Sequence, residues 1–408
     1  MEEEKKKRIT EWISGHKRIL IAAAAAAAVI LVIFLAGVLR TYTSYETASS
    51  FEHAREGNDQ YILFGGRIVQ YGGDGITCLD SDGESLWSKS FEMEQPTAAQ
   101  TDHYLALADQ GGSTIYVFDT DGFVQSVQTP YPVRALTVSD SGTVGAMLED
   151  GETCRVILYD IDGNVIVEGR SHLDDNGYPA ALALSDDGTV MAVSYLTVSA
   201  GEIATELKFY DFSGTESGTP QASAEYTYSG EAIVRIALIN GKFITFSDAA
   251  VRIYTGTAAP SLRKEILMDA EACSIVIGTG RFALVYEADE ETADAYRSDE
   301  SYTKISADAT ADAQDVSTGT QKVYEIDVYG ASGGKKTHAL FSGDYQSIVL
   351  LSNGAAAVLG TDTLKIISGL GITRLDYTFD ETICGVFSGK FSGYTFIFTD
   401  RIEKVNLR

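Results

Sequence analysis

The sequence predicts an all-β protein, an eight-bladed β-propeller with seven blades as the alternative, preceded by one N-terminal transmembrane helix. Three observations predict it. The first is a recurring strand end that runs into an Asp-x-x-Gly turn. It occurs at Cys78-Leu79-Asp80-Ser81-Asp82-Gly83, Tyr116-Val117-Phe118-Asp119-Thr120-Asp121-Gly122 and Leu158-Tyr159-Asp160-Ile161-Asp162-Gly163, with a looser copy at Phe209-Tyr210-Asp211-Phe212-Ser213-Gly214. The turn glycines are 39, 41 and 51 residues apart, the spacing of four-stranded propeller blades. The second is that β-prone runs alternate with Gly/Asp turns from about residue 60 onward, without long helical periodicity. The third is an unbroken uncharged run over residues 19–39.

That run is 21 residues long, so as a helix it spans about 30 Å, the thickness of a bilayer core. Lys5, Lys6, Lys7, Arg8, Lys17 and Arg18 precede it and only Arg40 lies just after it. This bias places residues 1–18 in the cytoplasm as a basic tail and the remainder outside, in a single-pass cell-membrane protein. A cleaved signal peptide fits less well, because the apolar core is too long and no Ala-x-Ala site follows closely. Residues 40–59 read as a polar juxtamembrane stalk that can donate a closing strand to the propeller of residues 60–408.

The blades parse as 60–92, 98–128, 133–168, 179–228, 232–267, 272–341, 345–379 and 382–408. The last group supplies only three strands. A closed ring hides its edges, so the missing strand is expected from residues 44–57. A second echo supports the parse: Ser139-Asp140-Ser141-Gly142-Thr143-Val144 and Ser185-Asp186-Asp187-Gly188-Thr189-Val190 link first to second strands, and Ser352-Asn353-Gly354 is a degenerate copy. Residues 287–322 break the pattern. They are rich in Asp, Glu, Ala, Ser and Thr with few aliphatics, and are expected to form a flexible acidic insertion, either tolerated or docking a basic partner.

Charge narrows the partners. The chain of 408 residues carries a net charge of −27. Seven of its 31 basic and four of its 58 acidic residues lie in 1–40, which leaves −30 on the rest. Nucleic acid and anionic lipid surfaces are therefore poor partners for the outer domain; the charge reads first as solubility outside a cell, with a cationic partner or bound divalent ions as the alternatives. The four cysteines, Cys78, Cys154, Cys273 and Cys384, are far apart and are expected as free, buried thiols.

The segment Cys78-Leu79-Asp80-Ser81-Asp82-Gly83-Glu84-Ser85-Leu86-Trp87 resembles the tail of a quinoprotein-type blade, and the Ser-Asp-x-Gly-Thr-Val turns resemble those of WD40-type propellers. The Gly-His and Trp-Asp signatures of WD40 are missing. The whole layout resembles an uncharacterised family of single-pass bacterial membrane proteins with an extracytoplasmic quinoprotein- or WD40-like propeller. The quinoprotein likeness implies a quinone cofactor held by a Trp, adjacent cysteines and calcium. Here Trp87 is the only Trp beyond the tail and no cysteines are adjacent, so no cofactor is expected.

No catalytic or metal-binding constellation is expected either. The paired aspartates at 80/82, 119/121 and 160/162 lack the acid eleven positions after the first, where Phe91, Pro130 and Ser171 stand. The five histidines have no second His or Cys at ligand spacing. Turn motifs specify fold rather than chemistry. The ligand-facing candidates are loops joining one blade to the next: Tyr131, Arg134, His172, Asp174, Asn176, Tyr178, Asp344 and Tyr345, a Tyr/Asp/Asn surface suited to proteins or glycans. The leading function is a membrane-anchored binding or scaffolding module, with the lipid bilayer met through 19–39 and an envelope protein or cell-wall glycan held outside. The alternative is an enzyme acting on an envelope polymer through carboxylates at the channel mouth. A sensor that signals through the short tail is a third reading.

Overall fold

The computed structural model describes residues 39–53, 59–172, 177–199, 201–213, 221–298, 321–389 and 393–408. The segment 19–38 of the expected membrane helix lies outside them. Among the described residues no helix is long and apolar enough to cross a membrane.

Thirty-two strands form eight antiparallel four-stranded sheets. Strand β1 (Tyr45–Glu52) precedes the first blade, which runs from β2 (Gln60–Phe64) through β4 (Gly75–Leu79) to β5 (Ser85–Ser90). Blade 2 runs from β6 (Pro96–Gln100) to β9 (Gly122–Gln128), and blade 3 from β10 (Val133–Val138) through β12 (Thr153–Tyr159) to β13 (Val165–His172). Blade 4 spans β14 (Tyr178–Leu184) to β17 (Ala222–Ser229), and blade 5 spans β18 (Arg235–Ile239) through β20 (Ala250–Thr255) to β21 (Ser261–Leu267). Blade 6 runs from β22 (Ser274–Gly278) to β25 (Lys335–Ser342), and blade 7 from β26 (Ser347–Leu350) to β29 (Thr373–Thr378). Blade 8 has β30 (Ile383–Ser388), β31 (Tyr394–Phe398) and β32 (Arg401–Leu407), and takes β1 as its outer strand. The architecture is thus an eight-bladed propeller, with the closing strand inside the expected 44–57.

Each blade buries both faces against its neighbours, which is why the strands read as apolar runs rather than strict alternations. Eight hydrophobic clusters result, one per interface. The richest joins blades 7 and 8 around Leu364, Leu375, Phe379 and Phe396, all at most 5% exposed. The thinnest closes the ring between blades 8 and 1. Its buried members are Leu79, Ile397 and Ile402, with Phe51, Tyr61 and Ile68 half-buried beside them. Phe51 lies where a Cβ on Gly83 would sit, and Gly83 has φ +86°, so glycine is required there twice over.

The repeated turns are made by their own side chains. Asp80 Oδ1 accepts from the backbone N–H of Asp82 at 2.8 Å and Glu84 at 2.9 Å. Asp160 does the same for Asp162 and Asn164, and Asp119 for Asp121 and Gly122. The first carboxylate of each pair is therefore occupied with its own turn. In the other set, Ser139 Oγ accepts from Thr143 N–H at 3.1 Å, and Ser185 Oγ from Val190 N–H at 2.9 Å.

Two sequence expectations need correction. The insertion does not begin as loop: helix α1 (Glu290–Ser298) follows β23 (Arg281–Glu287). Asp289 caps it, accepting the Thr292 N–H at 2.7 Å, Glu290 and Glu291 sit in its first turn, Arg297 in its last, and Ala293 is buried. Capping and one buried face supply the order that composition alone did not suggest. Residues 299–320 lie outside the described part. The cysteines are all free as expected, but Cys273 is exposed and Cys384 half-buried. Cys273 precedes β22 on a connecting loop, outside the interblade packing.

Candidate functional site

Strand direction divides the propeller into two faces. First and third strands run from the loop face to the turn face, and second and fourth strands run back. The connections between blades, together with those between second and third strands, make the loop face. The Asp-x-x-Gly and Ser-Asp-x-Gly turns make the turn face.

The predicted site residues do not converge. Tyr131 lies half-buried against the cluster between blades 2 and 3. Its ring lies 4.5 Å from the Arg155 guanidinium, and its hydroxyl accepts from Arg155 Nη2 at 3.0 Å. Arg134 of β10 stacks over the Tyr178 ring at 4.5 Å, bringing two predicted residues together across blades 3 and 4. His172 is exposed at the end of β13, while Asp174 and Asn176 lie outside the described residues. Tyr345 is on the far side of the ring from these, at the blade 6–7 interface. Its hydroxyl meets Ser274 Oγ at 2.7 Å and its ring stands edge-on to Tyr324 at 5.1 Å. Its neighbour Asp344 is exposed. The tyrosines are thus packed into seams, and what they offer a ligand is an edge rather than a platform.

Sequence reasoning missed a second set of residues on this face. Arg252, in the third strand of blade 5, donates through Nη1 and Nη2 to Glu231 at 2.6 and 2.8 Å and through Nε to Glu265 at 2.6 Å. The Tyr228 ring covers its guanidinium at 3.9 Å. Arg401, in the third strand of blade 8, grips Glu381 of the incoming loop, Glu403 and Asp400, against Phe398. Arg155, in the third strand of blade 3, joins Asp150, Glu168 and Tyr131. The arginine hydrogen bond holds the Glu231 carboxyl below the usual carboxylate range, and Arg155 does so for Asp150. The signal was a basic residue near the start of a β-prone run, as in Ala250-Val251-Arg252-Ile253-Tyr254.

Five further acids on the loop face stand outside these clamps. Asp269, Glu271, Asp344, Asp362 and Asp380 are exposed, and none has an ion-pair partner among the described residues. They come from the connections of blades 5 to 8, and α1 adds Glu290 and Glu291 beside them. The result is a strongly negative surface around the channel mouth.

The turn face carries a different cluster. Asp186 is pushed up by burial, then by Asp140, Asp187 and Asp102, and among the described carboxyls it is the only one raised. Its neighbours are engaged: Asp140 faces His103 Nδ1 at 3.2 Å, and Asp187 accepts from Ser185 and Thr189. A shallow cavity of about 280 Å³ opens between the outer strand of blade 3 and the second and third strands of blade 4, lined by Val167, Arg170, Tyr195, Lys208 and Tyr210. Lys208 is paired there with Glu206 at 2.8 Å.

Eight four-stranded sheets in sequence order, closed by an N-terminal strand, define the class as an eight-bladed β-propeller. Solved structures match parts of this chain at low identity. BamB from Moraxella catarrhalis matches over 89% of this chain and 100% of its own, with a TM-score of 0.49 and 9% identity. The Pan2 WD40 domain of Neurospora crassa matches over 76% of this chain and 88% of its own, with a TM-score of 0.42 and 9% identity. KlHsv2 with loop 6CD replaced by a Gly-Ser linker covers 52% of this chain and 72% of its own, with a TM-score of 0.38 and 17% identity. No curated protein matches. The chain belongs to a family of unknown function, DUF5711, whose pattern matches residues 38–407.

Proposed function

We propose that this protein is a membrane-anchored, extracytoplasmic scaffold that holds a basic protein segment on its loop face. The observation that carries the reading is the set of exposed, unpaired acids at Asp269, Glu271, Asp344, Asp362 and Asp380, on loops fixed by a rigid ring. A field of one sign steers an oppositely charged partner and suppresses others. The anchor is the uncharged run over 19–39, oriented by the basic residues before it.

An envelope-polymer enzyme needs two carboxyls with separated roles. Among the described carboxyls Asp186 is alone in being raised; beside it Asp140 faces His103 Nδ1 at 3.2 Å and Asp187 accepts from Thr189. That arrangement favours binding over catalysis.

The test is site-specific photocrosslinking in cells. Crosslinkers at Asp344 and Asp380 are expected to capture the same basic protein, and reversal of Asp344, Asp362 and Asp380 to Lys is expected to abolish capture of that protein. Capture of glycan alone, or equal capture from turn-face positions such as Asp82, ends this reading.

A further inference from the structure

The turn face is split by charge, and the chain enters on one half of it. Turns of blades 1 to 4 carry acids, including Asp80, Asp102, Asp140, Asp162 and Asp186. Turns 240–241, 256–260, 279–280, 331–334, 351–355 and 368–372, all in blades 5 to 7, contain no Asp or Glu. The strand ends flanking these turns are basic: Lys242 starts the second strand of blade 5, and Arg263 and Lys264 lie in the first half of β21, Lys336 in the first turn-side residues of β25 and Arg374 in those of β29. The nearest acids are already used. Glu46 pairs with Arg408, Asp327 with Lys335 and His338, and Glu265 with Arg252. A chain of net charge −27 thus gathers a positive sector in one place.

The chain path fixes where that sector points. Tyr45 pairs with Leu407 at the turn-face end of blade 8. Before it, Tyr42 bridges Leu375 in parallel, and its N–H donates to Arg374 O at 2.7 Å. Arg374 covers the Tyr42 ring at 5.1 Å and donates to its hydroxyl at 3.0 Å. The chain is therefore strapped to the outer edge of blade 7 up to Tyr42. Leu39, where the uncharged run ends, is three residues away, a reach of about 10 Å. Leu370, at the tip of the neighbouring turn, is 65% exposed.

We infer that the turn face of blades 5 to 8 docks on the anionic headgroups of the bilayer, tilting the ring so that its acidic half stands clear. Lys and Arg close to an anionic leaflet are attracted individually, whatever the net charge of the domain, because screening limits each interaction to about 8–10 Å. The short strap prevents the domain from turning away. This inference rests on the anchor proposed above.

The full chain is reconstituted into phosphatidylcholine vesicles with and without phosphatidylglycerol, and lysine acylation by a water-soluble reagent is read residue by residue. Labelling of Lys242 and Lys336 is expected to fall about threefold or more in the anionic vesicles and to recover at about 1 M salt, where the Debye length is ~3 Å. Lys322, exposed on the loop face, serves as the unchanged reference. The triple variant K242E/R263E/K336E should remove the lipid dependence at Lys264. Equal labelling in both lipids, with the chain firmly in the membrane fraction, overturns the docking and leaves the anchor standing. Release of the chain from vesicles by alkaline wash overturns both. Protection in phosphatidylcholine alone that varies with the protein-to-lipid ratio assigns this face to a second copy and also overturns the docking.

Discussion

At the scale of single residues, the ion pairs with most at stake are the arginine clamps. The Arg252 side chain is 4% exposed and satisfies Glu231, itself 18% exposed. Removing one member of such a pair strands the other, at a cost of about 3–5 kcal/mol. Arg252→Ala should therefore lower the unfolding free energy by about 3 kcal/mol, allowing for the partial exposure of Glu231 and Glu265, as measured by denaturant titration. Asp186 makes the opposite prediction. Its folded pKa is raised, so the native state is favoured when it is protonated and penalised as pH climbs through that folded value. Asp186→Asn should raise the melting temperature at pH 7. At pH 3, below the ordinary carboxyl range of about 3.9, the variant and the parent should melt together. A gain of equal size at both pH values would show that charge is not the cause.

At the scale of elements, the seam between blades 8 and 1 is the thinnest, with Leu79, Ile397 and Ile402 as its buried residues among those described. Burial is roughly proportional to stabilisation, so this seam should open first. Phe51→Ala, which empties the space over Gly83, should cost about 2 kcal/mol, less than a fully buried Phe. Hydrogen exchange should then rise in β1 and β2 before it rises in the blade 2–3 interface; uniform acceleration around the ring would count against a weak seam. The strands themselves were legible from their apolar runs, and in blades 1 to 4 also from turns whose Asp or Ser binds its own backbone. Helix α1 was readable too, from Asp289-x-x-Thr292 and the charges at its ends, but those signals were submerged in an acidic stretch. The site was far less legible. Tyr131 and Tyr345 looked like contact residues in loops, yet both are turned into seams by partners distant in sequence, Arg155 and Ser274. The clamps depend on loops and strands well apart in sequence, 21 positions for Arg252 and Glu231 and 24 for Arg155 and Tyr131, and no local pattern announces those pairings.

At the scale of the whole molecule, charge acts by distribution rather than by sum. The net value of −27 argued against an anionic surface as a partner. The fold sorts the same residues into a negative loop face and a positive sector beside the strap, so two partners of opposite charge fit one domain. The two predictions at this scale, capture of a basic protein above and lipid protection below, are independent, because no residue is used in both.

The pairing of β1 with β32 has a further implication. Thr47 meets Glu403, 356 positions later. During synthesis β1 emerges early and must wait, unpaired, until the matching strand has been made. Throughout that interval the growing arc offers raw edges at both ends, open to other chains. Proteases and chaperones would thus encounter every copy as an incomplete circle. A nonsense change before residue 401 would remove β32 and leave that circle permanently unlatched.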